Sequence, residues 1–305
     1  MRDVFIHELE TIAESDPDLN FLTADLGFGV VENFEKKFPK QFYNVGVAEQ
    51  LMIGVATGLA LEGKKVFAYS IGVFPTMRCL EQIRNDAAYH QVCVNIVAVG
   101  GGFTYGQLGM SHHATEDIGI MRALPNVRVF CPATLGETAE IVKFAANQPG
   151  VKYIRLEKNA VEEPIDAHPL TLGELRQFKE GNEVIFISTG SILGEALNAS
   201  SMLEQEGISC GVYGCHSLKP IDCNTIASKL RGASIVVTVE EHNVVGGLGS
   251  GIAEWCCDNS LHVKNFVRIG MNDQFSTVVG DQVFLREYYE LDSHSIYRKV
   301  LGLLR

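Results

Sequence analysis

The sequence predicts an α/β protein built from two tandem, doubly wound domains, the second smaller than the first. Three observations support this fold class. In the first half, short runs rich in β-branched residues alternate with longer apolar patterns of helical period. Over residues 157–174 the alternation stops in a polar stretch that contains two prolines. A second, shorter alternation follows it, and such patterns are typical of parallel sheets covered by helices on both faces.

The first domain should contain five strands and three long helices. The strands are expected at NFLTAD (20–25), KKVFAYS (64–70), VCVNIVAVGG (92–101), NVRVFCPA (126–133) and VKYIRLE (151–157). The helices are expected from about Val45 to Leu61, from Arg78 to Tyr89, and from about Leu135 to Asn147. Short strands separated by helices of this length indicate a mainly parallel sheet.

The polar stretch marks a domain boundary. We therefore predict a first domain over 1–160, a linker over 161–175 and a second domain over 176–305. Expected strands of the second domain are EVIFIST (183–189), ISCGVYG (208–214), SIVVTVE (234–240) and HVKNFVRIG (262–270). Its helices should run from Ile192 to Glu206, from Asp222 to Leu230 and near 247–258, and two more helices should close the chain.

Composition excludes some classes of partner. The chain has 305 residues and a net charge of −12, without clusters of Lys or Arg, so nucleic acid and acidic membrane surfaces are not expected partners. The start, MRDVFIHELE, lacks the apolar run of a secretory signal, and no stretch approaches the ~20 apolar residues of a membrane span. We expect a cytoplasmic protein. Its eight cysteines include no C-x-x-C pair and should be reduced, buried thiols.

A binding site is expected beyond the carboxyl ends of the parallel strands. The loops there include 25–29, 70–74, 100–110 and 240–251. Two of them are rich in glycine, yet GGLGSG (246–251) and VGGGFTYG (99–106) do not fit G-x-G-x-x-G, and the sequence has no P-loop or G-x-S-x-G elbow. SHHATED (111–117) carries two histidines and two carboxylates, but its spacing differs from H-E-x-x-H, so we predict no metal site made by this chain alone.

Several motifs together resemble one family. NVGVAEQ (44–50), followed by the apolar LMIGVATGLALEG (51–63), is similar to the start of the pyrimidine-binding domain in the transketolase group of thiamine-diphosphate enzymes. GMSHHATEDI (109–118) resembles that group's substrate-histidine loop, while SLKPID (217–222) and VEEHNVVGGLGS (239–250) resemble its C-terminal domain. The resemblance runs in order through nearly the whole chain. It implies a mainly parallel pyrimidine-binding domain followed by a mixed-sheet domain like the transketolase C-terminal domain.

The resemblance gives Glu49 a catalytic role. In the family, the matching glutamate hydrogen-bonds N1′ of the cofactor's aminopyrimidine and thereby promotes deprotonation of the thiazolium ring. A carboxyl group sheltered against an apolar helix suits this task, because the ring nitrogen changes its protonation state and needs a partner that can hold or share a proton. The alternative is a carboxylate that caps the first turn of a helix, where Glu is ordinarily favourable.

The same resemblance implies substrate-binding residues. His112 matches the catalytic loop histidine that contacts the substrate, with His113 beside it, and a solvent-exposed loop histidine is the alternative. Arg155 in KYIRLE lies where relatives hold a phosphate, and its planar guanidinium suits that ligand. Arg78 is a second candidate for binding an anion, with a salt bridge on a helix surface as the alternative.

Cofactor contacts are implied for the loops after the first and third strands. Asp25 and Leu26 in TADL match positions near the thiamine, although an Asp that caps a strand end is a rival interpretation. The family stacks aromatic rings on the aminopyrimidine, and here YSIGVFPTMRCLEQIRND (69–86) has a different spacing. Phe74 is the expected stacking ring, with Tyr69 as its neighbour, and an ordinary core Phe is the alternative.

One family motif is missing. Thiamine-diphosphate enzymes hold Mg²⁺ and the diphosphate with a G-D-G motif, and GDG does not occur in these 305 residues. The resemblance therefore implies a split transketolase with an α₂β₂ assembly, in which an N-terminal subunit that carries GDG supplies the Mg²⁺ and diphosphate site. The alternatives are an enzyme like 1-deoxyxylulose-5-phosphate synthase, a β subunit of a 2-oxoacid dehydrogenase, and a non-catalytic partner subunit.

Overall fold

Two sheets form the framework of the protein. The computed structural model describes residues 1–164 and 169–305. The strands of the first sheet are β1 (Leu19–Thr23), β2 (Phe42–Asn44), β3 (Lys65–Ile71), β4 (Val94–Val99), β5 (Val127–Phe130), β6 (Val151–Leu156) and β10 (Ser217–Lys219). They lie in the order β10-β5-β6-β4-β3-β1-β2. All neighbours are parallel except β10 and β5, so the predicted, mainly parallel sheet is confirmed.

The second sheet is smaller and mixed. Its strands are β7 (Arg176–Lys179), β8 (Val184–Ser188), β9 (Cys210–Gly214), β11 (Ile235–Asn243) and β12 (Phe266–Met271). They lie in the order β12-β11-β8-β9-β7, and only β7 runs antiparallel to its neighbour, β9. The mixed character expected of this domain is therefore confirmed.

Helices cover both sheets. Those of the first half are α1 (Arg2–Ala13), α2 (Glu32–Lys37), α3 (Glu49–Leu61), α4 (Leu80–Gln82), α5 (Asp117–Ala123) and α6 (Leu135–Asn147). Those of the second half are α7 (Leu193–Gln205), α8 (Ala227–Gly232), α9 (Leu248–Asp258), α10 (Gln282–Tyr288) and α11 (Ser293–Leu304). Helix α6 has the predicted bounds, because Thr134 and Glu137 form a reciprocal capping box at its start.

Helix α3 begins four residues later than the predicted Val45. Gly46 has a left-handed φ of +71°, and Ala48 has non-helical angles of φ −146° and ψ 66°, so the segment before Glu49 is a loop. Glu49 is therefore the first residue of the helix rather than one turn into it. That position places its carboxylate at the positive end of the helix dipole.

The segment predicted as a helix from Arg78 to Tyr89 is not a regular α-helix. Leu80–Gln82 is α-helical, the chain continues as a π-helical turn over Ile83–Ala88, and it returns to α-helical geometry at Tyr89. The carbonyl of Gly72 accepts a hydrogen bond from Thr76 Oγ1 (2.9 Å), which shapes the loop before this helix. The residues that follow β3 therefore form a loop around Phe74 and Arg78 at the carboxyl edge of the first sheet.

The linker predicted at 161–175 lies partly outside the described residues, since residues 165–168 are not described. On its two sides the chain follows α6: Glu163 accepts from the Gly136 N–H (2.7 Å), and the Leu170 N–H donates to Glu140 (2.7 Å). The eight cysteines are free thiols, six of them buried. Within residues 1–164 and 169–305, no helix has the length and apolar character needed to cross a membrane.

Candidate functional site

A buried carboxylate lies at the carboxyl edge of the first sheet. Glu49 is 2% exposed. Its Oε2 accepts a hydrogen bond from Arg78 Nη1 at 2.7 Å, and its Oε1 lies 3.5 Å from Ser70 Oγ, near the end of β3. The carboxylate thus bonds to side chains from the end of β3 and from the loop that follows it, rather than capping the first turn of its own helix.

Phe74 links this carboxylate to the histidine loop. The guanidinium carbon of Arg78 lies 4.6 Å from the centre of the Phe74 ring, within the range of a cation–π contact. The His112 ring meets Phe74 edge-on, with 5.2 Å between ring centres and 72° between planes. The structure therefore brings together Glu49, Phe74, Arg78 and His112, which we call the Glu49 cluster.

The cluster is buried at one end and accessible at the other. Glu49 is enclosed, whereas the Arg78 side chain is 45% exposed and Phe74 and His112 are half-buried. Burial, together with the nearby charge of Glu49, raises the pKa of the Cys79 thiol to about 12. Cys79 therefore stays protonated near neutral pH and does not serve as a nucleophile.

Asp25 and Leu26 lie on a rim next to the start of α3. Asn44 joins this rim to the helix: its Oδ1 accepts from the N–H groups of Asp25 and Gly46, each at 3.0 Å, and its Nδ2 donates to Asp25 Oδ1 at 3.2 Å. Asp25 has a left-handed φ of +56°. Sequence reasoning missed Asn44, although a polar residue directly before VGVAEQ, after an unrecognised strand, was an available signal.

The two histidines of the loop point to different environments. His112 stays half-buried, with Nδ1 3.1 Å from Ser111 Oγ. His113 is buried, and its Nε2 pairs with the Gly106 carbonyl at 3.1 Å while Phe103 packs edge-on against its ring. Burial lowers the pKa of His113. His113 therefore braces the loop, and it does not join the Glu49 cluster.

Tyr69 is also separate from the cluster. Adjacent residues of a strand point to opposite faces, so Tyr69 faces away from Ser70 and Glu49. Its ring stacks on Phe5 of α1 at 5.8 Å and packs against Phe21 in the core. The structure thus gives Tyr69 a packing role, which differs from the expected neighbour of the stacking aromatic.

Arg155 differs most from its expected role in phosphate binding. Its side chain is 1% exposed, and Nη2 donates to the Glu241 carbonyl at 2.9 Å and to the Ala114 carbonyl at 3.3 Å. Its Nε lies 3.5 Å from Asp117 Oδ2. Burial opposes the charge of the guanidinium, but Asp117 and Glu157 outweigh it and raise the pKa of Arg155. Arg155 thus joins the two domains and is not open to a substrate.

Comparisons with known proteins identify two family domains in this chain. Residues 1–164 match the family described as the transketolase pyrimidine binding domain, and residues 173–296 match the transketolase C-terminal domain. The chain is 38% identical to a putative transketolase C-terminal section of Methanocaldococcus jannaschii, over 99% of this chain and 95% of that protein. It is 33% identical to the B subunit of an apulose-4-phosphate transketolase from Phocaeicola vulgatus, over 100% of this chain and 97% of the relative.

Longer relatives and a solved structure extend this picture. A 1-deoxy-D-xylulose-5-phosphate synthase of Halothermothrix orenii is 31% identical over 99% of this chain, which spans 48% of that enzyme. A solved structure described as a split gene transketolase, inactive beta4 tetramer, superimposes with a TM-score of 0.89 at 37% identity, and covers 99% of this chain and 97% of the solved one. The chain therefore belongs to the transketolase family, as a C-terminal subunit of the split type that carries the pyrimidine-binding and C-terminal domains.

Proposed function

We propose that this chain is the C-terminal subunit of a two-component transketolase that moves a two-carbon ketol unit from a ketose phosphate to an aldose acceptor. The Glu49 cluster is the observation that carries this proposal. It combines a buried carboxylate at a helix N-terminus with an aromatic ring, a cation and a histidine that solvent can reach. A sugar phosphate needs such a combination, because it presents hydroxyl groups and a dianion together.

Thiamine diphosphate fits these residues. Glu49 Oε1 has only a 3.5 Å contact with Ser70, so it retains capacity to accept a hydrogen bond from a ring nitrogen. Phe74 offers a half-buried ring for apolar contact, and Asp25 and Leu26 line the adjacent rim. When bound, the cofactor supplies the nucleophilic carbon that carries the two-carbon unit. Glu49, Phe74, Asp25 and Leu26 are the residues that would hold its pyrimidine half.

Each residue of the cluster then has a distinct task. Glu49 holds or shares a proton with the ring nitrogen, in a site from which water is largely excluded. Arg78 is exposed enough to reorient, and its guanidinium binds the phosphate of the substrate. His112 contacts the substrate hydroxyl groups and moves protons there. His113 and Arg155 act indirectly, because both are buried and His113 Nε2 pairs within the loop while Arg155 Nη2 donates across the domain interface.

A partner subunit completes the site in this proposal. It carries the GDG motif, holds Mg²⁺ and the diphosphate, and forms an α₂β₂ heterotetramer with this chain. Support comes from the names of the relatives, one a transketolase C-terminal section and another the B subunit of a transketolase. The solved split-gene transketolase adds to it, because its assembly of β subunits alone is described as inactive.

The decisive experiment is a calorimetric titration of thiamine diphosphate and Mg²⁺. The titration is made into this chain alone and then into its mixture with an N-terminal transketolase subunit that carries the GDG motif. Tight binding only in the mixture, followed by turnover in a screen of ketose phosphate donors and aldose phosphate acceptors, would support the proposal. Absence of binding in the mixture would favour a non-catalytic subunit, and tight binding to this chain alone would contradict the split site.

A second candidate is a deoxyxylulose-phosphate-synthase-like reaction, which the similarity to the Halothermothrix orenii enzyme supports. The two reactions differ in the donor, because the synthase-like reaction begins with a 2-oxoacid that loses CO₂, whereas ketol transfer begins with a ketose phosphate. The reconstituted complex should be incubated with pyruvate and glyceraldehyde 3-phosphate. Release of CO₂ at a rate above that of ketol transfer would favour the second candidate over the first.

A further inference from the structure

The loop that carries His112 rests on a carboxylate of the second domain. Glu241 lies near the end of β11 and is 1% exposed. Its Oε1 accepts a hydrogen bond from the backbone N–H of Phe103 at 2.6 Å, across 138 positions of sequence. A charge-assisted bond to a backbone N–H is among the stronger hydrogen bonds in proteins. The loop that carries His112 (residues 100–114) is therefore joined to the second domain by a short, buried hydrogen bond.

Glu241 is itself held rigidly. Gln282 Nε2 donates to its Oε1 at 2.8 Å, and Arg286 Nε donates to its Oε2. Both of these residues belong to α10. Arg286 Nη2 also donates to Ser191 Oγ at 3.0 Å. The carboxylate thus has fixed partners on both oxygens, so it can hold the Phe103 N–H in one place.

Gly102 brings the loop backbone directly onto this carboxylate. It has a left-handed φ of +57°, and a Cβ built there would overlap Glu241 Oε1. Gly102 and Ala114 exchange both backbone hydrogen bonds, at 2.9 and 3.0 Å. This pairing closes the loop at its base. His112 lies just inside the closed base, two residues before Ala114.

The interior of the loop also packs against the second domain. A Cβ at Gly106 would contact the Gly280 carbonyl and Leu285, both at 2.5 Å, so the backbone there packs tightly against α10 and the segment before it. The Gly106 carbonyl in turn pairs with His113. The far side of the loop meets the first domain, where His112 touches Phe74. The loop therefore spans the two domains, with its base fixed by the second.

We propose that Glu241 is a positioning residue, through which the C-terminal domain sets the place of His112 in the site. This inference rests on the proposed function, because it takes His112 to contact the substrate. A reacting group must be held to within a fraction of an ångström, so a shift at the base of the loop would displace His112 and lower the reaction rate. The C-terminal domain is then part of the machinery that orients the substrate, although it contributes no residue to the Glu49 cluster.

A first test measures loop stability without any substrate. Hydrogen–deuterium exchange of the chain alone is followed in peptides that cover residues 100–114, for the wild type, Glu241→Ala, Glu241→Gln and Gly102→Ala. Glu241→Ala should raise exchange in these peptides about tenfold or more, because the Phe103 amide loses its acceptor. Glu241→Gln should restore part of the protection, since its amide oxygen can still accept from Phe103. Gly102→Ala disturbs the same contact from the loop side and should also raise exchange.

The matched control is Glu240→Gln. Glu240 neighbours Glu241 on β11 and is equally buried, but its oxygens accept from the N–H groups of Leu248 (2.7 Å) and Gly249 (2.9 Å) at the start of α9. The Glu240→Gln variant should leave hydrogen–deuterium exchange over residues 100–114 unchanged. Unchanged exchange in both Glu241→Ala and Gly102→Ala would overturn the inference, as would an equal rise in Glu240→Gln.

A second test is a kinetic double-mutant cycle in the complete two-subunit complex. Fructose 6-phosphate serves as donor and glyceraldehyde 3-phosphate as acceptor, or the best pair from the screen. Glu241→Ala should lower kcat/KM about tenfold in the wild-type background but less than about twofold in His112→Ala, because one group acts through the other. Equal losses in the two backgrounds would show a general structural role and would overturn the inference.

The two tests separate this inference from the proposed function. An inactive wild-type complex, or a His112→Ala variant with full activity, would reject the proposed chemistry. The exchange experiment would still decide whether Glu241 positions the loop. An active wild-type complex with additive losses would reject the positioning role and leave the proposed function intact. Glu241→Ala should leave the affinity for thiamine diphosphate unchanged in both the wild-type and the His112→Ala backgrounds, because Glu241 lies outside the Glu49 cluster.

Discussion

Arg78 donates to Glu49 across 2.7 Å between Nη1 and Oε2, and this pair joins the loop after β3 to the N-terminus of α3. The two side chains differ in environment, since Glu49 is 2% exposed and Arg78 is 45% exposed. The arginine therefore covers the carboxylate from the solvent side and stabilises its charge. An exposed cation over a buried acid can move away when a ligand arrives, whereas the acid stays where α3 holds it.

The Arg78→Met variant tests this relationship. Methionine keeps an unbranched apolar chain over Phe74 but removes the cation, which leaves the buried carboxylate of Glu49 unpaired. We expect the chain to lose on the order of 1 kcal/mol of unfolding free energy, a modest value because Arg78 is half exposed. In the complex, KM for the sugar phosphate should rise about tenfold, since one charge-assisted contact is lost.

Urea denaturation of the chain alone and steady-state kinetics of the complex check both effects. The Glu49→Gln/Arg78→Met double variant should recover most of the lost stability, because no unpaired carboxylate remains. Equal stability of Arg78→Met and the wild type would mean that the ion pair is solvated and contributes nothing measurable to the unfolding free energy.

The Glu49→Gln variant tests the proposed proton-handling role. Glutamine has the shape of glutamate but cannot take up a proton, so turnover of the complex should fall by about 10²–10⁴-fold. The control is Glu62→Gln, at the other end of α3, where the side chain is exposed. Rates are measured at saturating cofactor. Wild-type turnover in Glu49→Gln would remove Glu49 from the mechanism.

The Phe74→Leu variant tests the proposed contact with the cofactor. Leucine keeps apolar volume but loses the ring face, so we expect a fivefold to tenfold weaker Kd for thiamine diphosphate in the complex, about 1 kcal/mol. A matched control exists on α6, where Arg128 lies over the Phe144 ring at 5.7 Å. Phe144→Leu removes a similar arginine–phenylalanine pair far from the cluster and should leave this Kd unchanged. Equal affinities for all three proteins would identify Phe74 as an ordinary packing residue.

Glu240 should make stability depend on pH. Burial raises the pKa of Glu240 to about 7, and hydrogen bonds from Gly249 and Leu248 offset this only in part. A raised carboxyl pKa means that the folded state holds the proton longer than the unfolded chain does. Its contribution is therefore complete below the unfolded value of about 4.3 and is lost as pH rises towards 7.

The measurement compares the wild type with Glu240→Gln by urea denaturation at pH 5 and pH 8. Relative to the variant, the wild type should lose about 1–3 kcal/mol of unfolding free energy between these pH values. Glu62→Gln is the control and should show no such difference from the wild type. Absence of any difference would mean that Glu240 is ionised in the folded protein throughout this range.

Local sequence predicted much of the fold. The alternation of strand and helix patterns gave the mainly parallel first sheet, and it placed a helix from about Leu135 to Asn147, the bounds that α6 has. Errors arose where local patterns were weak or competed. The apolar run before Glu49 resembled helix, but the left-handed Gly46 breaks it there. Strand β10 is only three residues long, and it leaves the second half of the chain to pair with β5 of the first sheet.

In the candidate site, too, some residues were placed correctly from the sequence and others were not. Glu49, Phe74, Arg78 and His112 were all predicted from motifs and do come together in space. Tyr69 was predicted beside them, but a strand alternates its side chains between two faces, and the sequence did not reveal which face bordered the site. Arg155 was predicted to be open to a phosphate. Its burial depends on a second domain whose contacts no local pattern encodes.

By itself the sequence determined the fold class, the family and four side chains of the cluster, because these depend on periodicity and on residues that stand close together in short motifs. The tertiary structure alone decided which polar groups remain free for a ligand. Arg155 is committed to the backbone of Glu241, and the Glu241 carboxylate to Phe103, 138 positions away. Such pairings form only when the two domains pack and exclude water, since a charge or an N–H group that is buried without a partner costs free energy.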